Sequence, residues 1–196
     1  MAAAREALGE DHNNPTAMVL ATVDRHGHPN ARVVLCRGFD ATHGTVRFYT
    51  DRSSAKGQEL TDAPHAALVF YWEPLYRQVR IRGPVRPAPD AESDAYFDAR
   101  PIGARVSASV SRQSAPVSSR AELLAAHEQL LVRATAPGSR ERVARPERWG
   151  GFDIVITELE LWAGRRDRLH DRARYTRDPS DAAGAPTKWR ATRLQP

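Results

Sequence analysis

The chain has 196 residues, 41% of them hydrophobic, with 29 Lys and Arg against 24 Asp and Glu and a formal net charge of +5. This describes one domain with ample chain for a core, and it excludes a disordered composition and any apolar run near the ~20 residues of a membrane-spanning helix. The single cysteine, Cys36, excludes an internal disulfide framework, and no block of like charge resembles a nucleic-acid arm, so the expectation is a cytoplasmic protein with neither nucleic acid nor membrane as partner.

The opening MAAAREALGEDHNN has no apolar run of the kind a signal peptide carries, and residues 1–13 read as a flexible segment ahead of one domain spanning 14–196. Ala17–Val23 reads as a strand, residues 24–30 as a turn broken by Gly27 and Pro29, and 32–37 as the returning strand of a hairpin. Further strands are expected over 45–50, 66–72 and 78–85, so five strands precede residue 90 at hairpin-like spacing. That pattern predicts an antiparallel sheet or barrel. Ser53 or Ser54 caps a short helix over 55–61, residues 89–99 form a second helix ended by Pro101, and Ser119 with Glu122 is a capping box opening a third through Val132. Leu123, Leu124, His127, Leu130 and Leu131 share one face of that third helix. Residues 135–149 read as a loop, 152–162 as a strand, and 172–177 with 189–194 as a closing hairpin joined by a polar loop over 178–187.

Chemistry concentrates in a few places. The stretch W-A-G-R-R-D-R-L-H-D-R (162–172) holds four arginines, a histidine and a tryptophan. If extended, it projects Arg168, His170 and Arg172 from one face, which suits a planar anion or equally a solvated edge strand. Ser53-Ser54-Ala55-Lys56-Gly57 places hydroxyls, helical N–H groups and a lysine at a helix start, an arrangement that favours phosphate and also serves as an ordinary cap. Lys56 is one of only two lysines in an arginine-rich chain. Ser111-Arg112-Gln113-Ser114 is a polar cluster between prolines, Gln78 lies between Arg77 and Arg80, and Tyr96 and Arg100 sit four apart on a predicted helix. No dinucleotide fingerprint, Walker loop, zinc motif or nucleophile elbow is present, and no metal site is expected.

These pieces occur in a definite order: P-T-A-M-V-L-A-T-V-D (15–24), R-V-V-L-C-R-G-F-D (32–40), F-Y-T-D-R-S-S-A-K-G (48–57), R-Q-V-R-I-R-G (77–83), D-A-Y-F-D-A-R-P (94–101), S-R-Q-S (111–114), W-G-G-F (149–152), L-W-A-G-R-R-D-R-L-H-D-R (161–172) and the terminal R-L-Q-P. Together they resemble the pyridoxine/pyridoxamine 5′-phosphate oxidase family of FMN-dependent split-barrel proteins over nearly the whole chain. The resemblance implies a mainly β (α+β) fold, a six-stranded antiparallel split barrel with flanking helices, working as a homodimer with FMN in the interface. It implies that Arg32, Tyr49, Thr50, Ser54, Lys56 and Gln78 bind FMN from one subunit and Gln113, Ser114, Trp162 and Arg172 from the other. Arg37, Tyr96 and Arg100 fall where the family grips the substrate phosphate. Arg168 and His170 fall where it positions the substrate ring, and they are the implied catalytic pair.

The implied reaction is hydride transfer from the C4′ carbon of pyridoxine or pyridoxamine 5′-phosphate to flavin N5, giving pyridoxal 5′-phosphate, with water releasing ammonia in the amine case and dioxygen reoxidising the flavin to give hydrogen peroxide. The chain departs from the family pattern at Arg37, usually lysine, at Ala104, usually serine, and at Ala55, commonly arginine. No Arg and Tyr of the kind that cover the active site in the vitamin enzymes precede Asn14. The first two departures lie on the substrate side and open a second reading, an oxidase of a phenazine-type pathway acting on a reduced aromatic carboxylate. A third reading is a split-barrel protein that binds flavin without turnover; the R-L-H segment counts against it.

Overall fold

Alternation dictates the first strands. In β1 (Ala17–Val23), Met18, Leu20 and Thr22 are buried while Val19 and Val23 face outward. The chain reverses through 24–28, where the Asp24 carboxylate accepts from the backbone N–H groups of His26 and His28 and Gly27 takes φ +85°. β2 (Pro29–Leu35) then pairs antiparallel with β1, Val33 opposite Val19. The computed structural model describes residues 14–177 and 188–196; the expected flexible segment 1–13 and the polar loop 178–187 lie outside the described residues.

Ten strands are present among the described residues, all antiparallel. After β3 (Gly38–Asp40) and β4 (Thr45–Asp51) come β5 (His65–Trp72) and the long β6 (Arg77–Pro87). β7 (Trp149–Val155), β8 (Glu158–Ala163), β9 (Asp171–Thr176) and β10 (Arg190–Leu194) complete the sheet. Hydrogen-bonded neighbours run β2-β1-β5-β6-β7-β4, and this path curls back so that the Arg37 N–H donates to the Arg47 carbonyl at 2.8 Å. Inside the curl lie Met18, Leu20, Phe48, Leu68, Phe70, Ile81, Phe152 and Ile154. β8, β9 and β10 continue outward from the first half of β6 as a second flank.

β6 changes partner midway, pairing with β8 through Arg82 and with β7 from Val85. Gly83 permits the crossing: a Cβ there would lie 1.7 Å from the Val155 carbonyl oxygen. The same crossing divides the single strand expected over 152–162. β7 stays with β4, β8 goes to the other half of β6, and Ile156 and Thr157 donate to the Gly44 and Arg82 carbonyls between them.

Four helices flank the sheet among the described residues: α1 (Ala55–Asp62), α2 (Asp90–Asp98), α3 (Ile102–Val110) and α4 (Arg120–Thr135). Ser54 caps α1 and Ser119 caps α4, as expected. α3 was not anticipated, although Ile102, Val106 and Val110 recur at helical spacing; the run is short and buries only Val106. α4 packs on α3 without a fully buried residue, and Leu124, one of the five residues expected to share a face, is exposed. No helix among the described residues is long and apolar enough to cross a membrane.

Candidate active site

A cavity of about 470 Å³ opens between β2, β4, the start of α1, the α2–α3 corner and the 111–113 loop, within the usual range for small-molecule sites. Arg32 from β2, Thr50 from β4 and Lys56 from α1 line one side, and Tyr49 of β4 joins it to the other. Arg37, Tyr96, Arg100 and Trp149 line the other, and Gln113 closes the end.

The first side is cross-braced. Gln113 Oε1 accepts from Thr50 Oγ1 and from Lys56 Nζ, both at 2.7 Å. Arg32 Nη2 donates to Glu59 Oε2 at 2.7 Å, and Glu59 also accepts from Thr22 and Asn30. Glu59 lies one helical turn beyond Lys56, so a single carboxylate inside the fold fixes the cation next to that lysine. Burial penalises the Glu59 carboxylate, but the hydrogen bonds from Thr22, Asn30 and Arg32 outweigh it and hold the pKa below its usual value. Lys56 is pushed down, first by burial and then by the Arg32 charge. The Arg32 charge beside Lys56 is the part of this that a bound anion relieves. Arg148 Nε pairs with Asp51 at 3.0 Å while its Nη2 takes the carbonyls of Ala108, Ser109 and Ser111, closing the end of α3 and tying down the 111–113 loop.

The second side is built from stacked rings. Tyr49 and Tyr96 lie 4.0 Å apart and parallel within 1°, and Trp149 continues the stack at 5.4 Å from Tyr49. Arg100 rests over Trp149 with Cζ 4.8 Å from the ring centre. Its Nη1 is buried without a hydrogen-bond partner. Its pKa is lowered, mostly by burial, with the nearby Arg37 charge adding to the effect. Tyr96 and Arg100 do face the same cavity, although α2 ends at Asp98 and Arg100 lies beyond it.

A second cleft, of about 290 Å³, lies on the outward face of β6, β8 and β9. Gln78, Trp162 and Arg172 stand side by side there in one cross-strand row. Arg172 is clamped by the buried Glu160, Nε to Oε1 at 3.0 Å and Nη2 to Oε2 at 3.1 Å. His170 packs on Trp162 with ring centres 4.6 Å apart. Its Nδ1 accepts the Arg165 N–H at 3.1 Å, so the neutral ring carries its proton on Nε2, facing away from that contact.

Some expectations change. The grouping within one chain differs at two residues: Gln113 stands with Lys56, and Gln78 stands with Trp162 and Arg172. Ser54 is fully buried and its hydroxyl is spent, donating to the Asp51 carbonyl and accepting from Gly57 N–H. Ser114 lies outside both clefts at φ +70°, lining a separate crevice against α4. The 166–168 segment is a 3₁₀ turn with Asp167 and Arg168 at φ +56° and +60°, so Arg168 and His170 do not extend from Arg172 along one strand face. The Gly164 N–H bonded to the Tyr76 carbonyl and the Arg165–Asp171 ion pair close this loop into a protruding tip, with Arg168 and Leu169 exposed. Sequence reasoning missed Glu59, Glu160 and Arg148, whose partners are remote in the chain; Trp149 stood inside the W-G-G-F motif with no role given to it.

Residues 4–133 match the family model described as pyridoxamine 5′-phosphate oxidase, and residues 149–196 match the one described as the pyridoxine 5′-phosphate oxidase C-terminal dimerisation region. A pyridoxine/pyridoxamine 5′-phosphate oxidase of Burkholderia thailandensis is 46% identical over 98% of this chain and 85% of its own. Among solved structures, PhzG from Burkholderia lata in complex with tetrahydrophenazine-1-carboxylic acid aligns with a TM-score of 0.82 at 32% identity, covering 100% of this chain and 85% of that one. An FMN-binding protein of Nostoc punctiforme, 20% identical, shares the fold with a TM-score of 0.70 over 93% of this chain and 88% of its own. Curled sheet, cationic cleft and matches define an FMN-dependent oxidase. The chain belongs to the pyridoxamine 5′-phosphate oxidase family.

The residues present fit FMN. The first cavity gathers Arg32, Arg37, Lys56 and Arg100 around a single lining carboxylate, Asp51, which is already paired with Arg148. Such a concentration of charge matches an anionic ligand with a planar part to lie along the aromatic wall.

Proposed function

We propose that this oxidase acts on pyridoxine and pyridoxamine 5′-phosphate, as a homodimer of six-stranded split barrels in which each active cleft takes one wall from each copy. The observation that carries the substrate reading is the Arg37–Arg100 pair: two guanidiniums share one cavity wall, and among the described residues neither meets a carboxylate. Two forks without an acid suit a phosphate or a carboxylate on the substrate.

Arg32, Lys56, Tyr49, Thr50 and Gln113 would hold the cofactor from one copy, and Gln78, Trp162 and Arg172 from the other. Bound there, FMN supplies hydride acceptance from the substrate C4′ carbon and reoxidation by dioxygen, with hydrogen peroxide as the product. Arg37, Tyr96 and Arg100 fix the substrate anion and so set the distance of C4′ from the flavin. The 164–170 tip brings Arg168 and His170 over the substrate: Arg168 supplies a point of positive charge, and the Nε2 proton of His170 is free to donate to the ring substituents. No residue is required to abstract a proton from carbon, which agrees with a site of cations, amides and rings.

A second reading, a reduced phenazine-type carboxylate as substrate, is favoured by the 32% identity to PhzG over the whole chain and by Ala104, which stands where the family pattern usually has serine. Peroxide release from the FMN-loaded protein separates the two. Turnover of pyridoxine or pyridoxamine 5′-phosphate supports the first. Inertness to both, together with oxidation of a dihydrophenazine carboxylate, supports the second. A colourless protein that takes up no added FMN contradicts both.

A further inference from the structure

The arginines around the site are held in two different ways. Arg32 and Arg172 each donate to a buried glutamate, Glu59 and Glu160, and Arg148 to Asp51. Arg100 has no ion pair among the described residues. It lies against the indole of Trp149, Cζ 4.8 Å from that ring centre, with the ring centre of Phe97 5.7 Å from the same carbon. The indole is itself fixed: Trp149 is 7% exposed and stacked on Tyr49, with Phe97 meeting it edge-on at 5.1 Å and its carbonyl taking Arg145 Nη1.

We propose that Trp149 is a positioning residue for the anion site: its π face takes the place that a carboxylate holds beside Arg32, Arg148 and Arg172, and so leaves the charge of Arg100 for the substrate. A carboxylate in that position would orient the guanidinium but compete with the substrate anion for it. An aromatic face orients it and still attracts the cation, because the ring presents only its quadrupole. Arg37 beside it makes the arrangement costly without a ligand, since two like charges then share a desolvated wall. Arg100 lines the cavity with no carboxylate partner among the described residues, so its guanidinium charge is left to the incoming anion.

This rests on the substrate reading above, in which Arg100 meets an anionic group. The test uses the FMN-loaded protein and two probes that differ only in that group, pyridoxal 5′-phosphate and pyridoxal, with dissociation constants measured by calorimetry. Fluorinated tryptophans placed at 149 keep the ring's size while draining its π charge. The expected result is that the preference for the phosphorylated probe falls stepwise with each added fluorine, while pyridoxal affinity stays constant. Trp149→Leu should lower the preference on the order of tenfold, and Trp149→Phe should retain most of it. A preference unmoved across the fluorinated series, with the wild type discriminating, overturns the inference. A wild type that does not discriminate contradicts the vitamin reading instead, and the series is then read with phenazine-1-carboxylate against phenazine, with the same two outcomes.

Discussion

Lys56 and Arg168 are the residues whose roles are most open to direct measurement. Lys56 is half-buried beside Arg32, and its pKa lies below the usual 10.5 because burial, and then the Arg32 charge, penalise the ammonium. A phosphate binds the charged form. Affinity for FMN is therefore intact below that lowered value and is lost as pH rises through it, within an alkaline window that opens before 10.5. Flavin fluorescence titrations from neutrality upward should show the loss in the wild type, and Lys56→Arg should flatten it. Identical profiles for the two would remove Lys56 from the phosphate site. Arg168 stands at the exposed tip with a left-handed backbone and touches neither cleft's cofactor residues. Arg168→Ala should cut turnover by one to two orders of magnitude, roughly the loss of one charge-assisted contact, while FMN stays bound. Loss of the flavin spectrum would contradict that assignment.

At the scale of elements, β1 falls on the residues its alternation marks, and α1 and α4 start at the serines that cap them. These are local signals: a period of two, or a hydroxyl placed before a helical run. What was not legible is tertiary. The break at 156–157 exists because β6 serves two sheet segments, and nothing in 152–162 records that. The turn at 166–168 replaces an extended run because the Gly164 and Arg165 contacts close a loop there, although Asp167 is one of the residue types that tolerate positive φ. Within the site, Lys56, Gln113 and Arg172 carried visible chemistry, whereas nothing local marks Glu59 and Glu160 as the buried partners of arginines. Gly83 is the element-scale test. Gly83→Ala forces a methyl against the Val155 carbonyl, and urea unfolding should show about 1–3 kcal/mol of lost stability or more. A neutral substitution would mean that β6 does not need its close crossing with β7.

At the scale of the molecule, the two clefts lie on opposite flanks of one sheet. β2 carries Arg32 and β8 carries Trp162, and the path between them is β2-β1-β5-β6-β8, four strand spacings or about 19 Å along the sheet. Over β2, β1 and β5 the outward face carries Val33, Val19 and Val69 in one cross-strand row, Val33 65% exposed, and the row continues onto Arg80 of β6. A second copy covering that face by two-fold symmetry would bring the tip and Trp162 of each copy to the Lys56 cavity of the other. The direct measurement is complementation. Lys56→Ala and Trp162→Ala chains, each defective in flavin binding and oxidase activity alone, are co-expressed with different affinity tags, and the mixed dimers are isolated. Flavin and activity should return at a single wild-type site per mixed dimer, because each copy supplies the wall the other lacks. Mixed dimers that stay as colourless and inactive as their parents would contradict it.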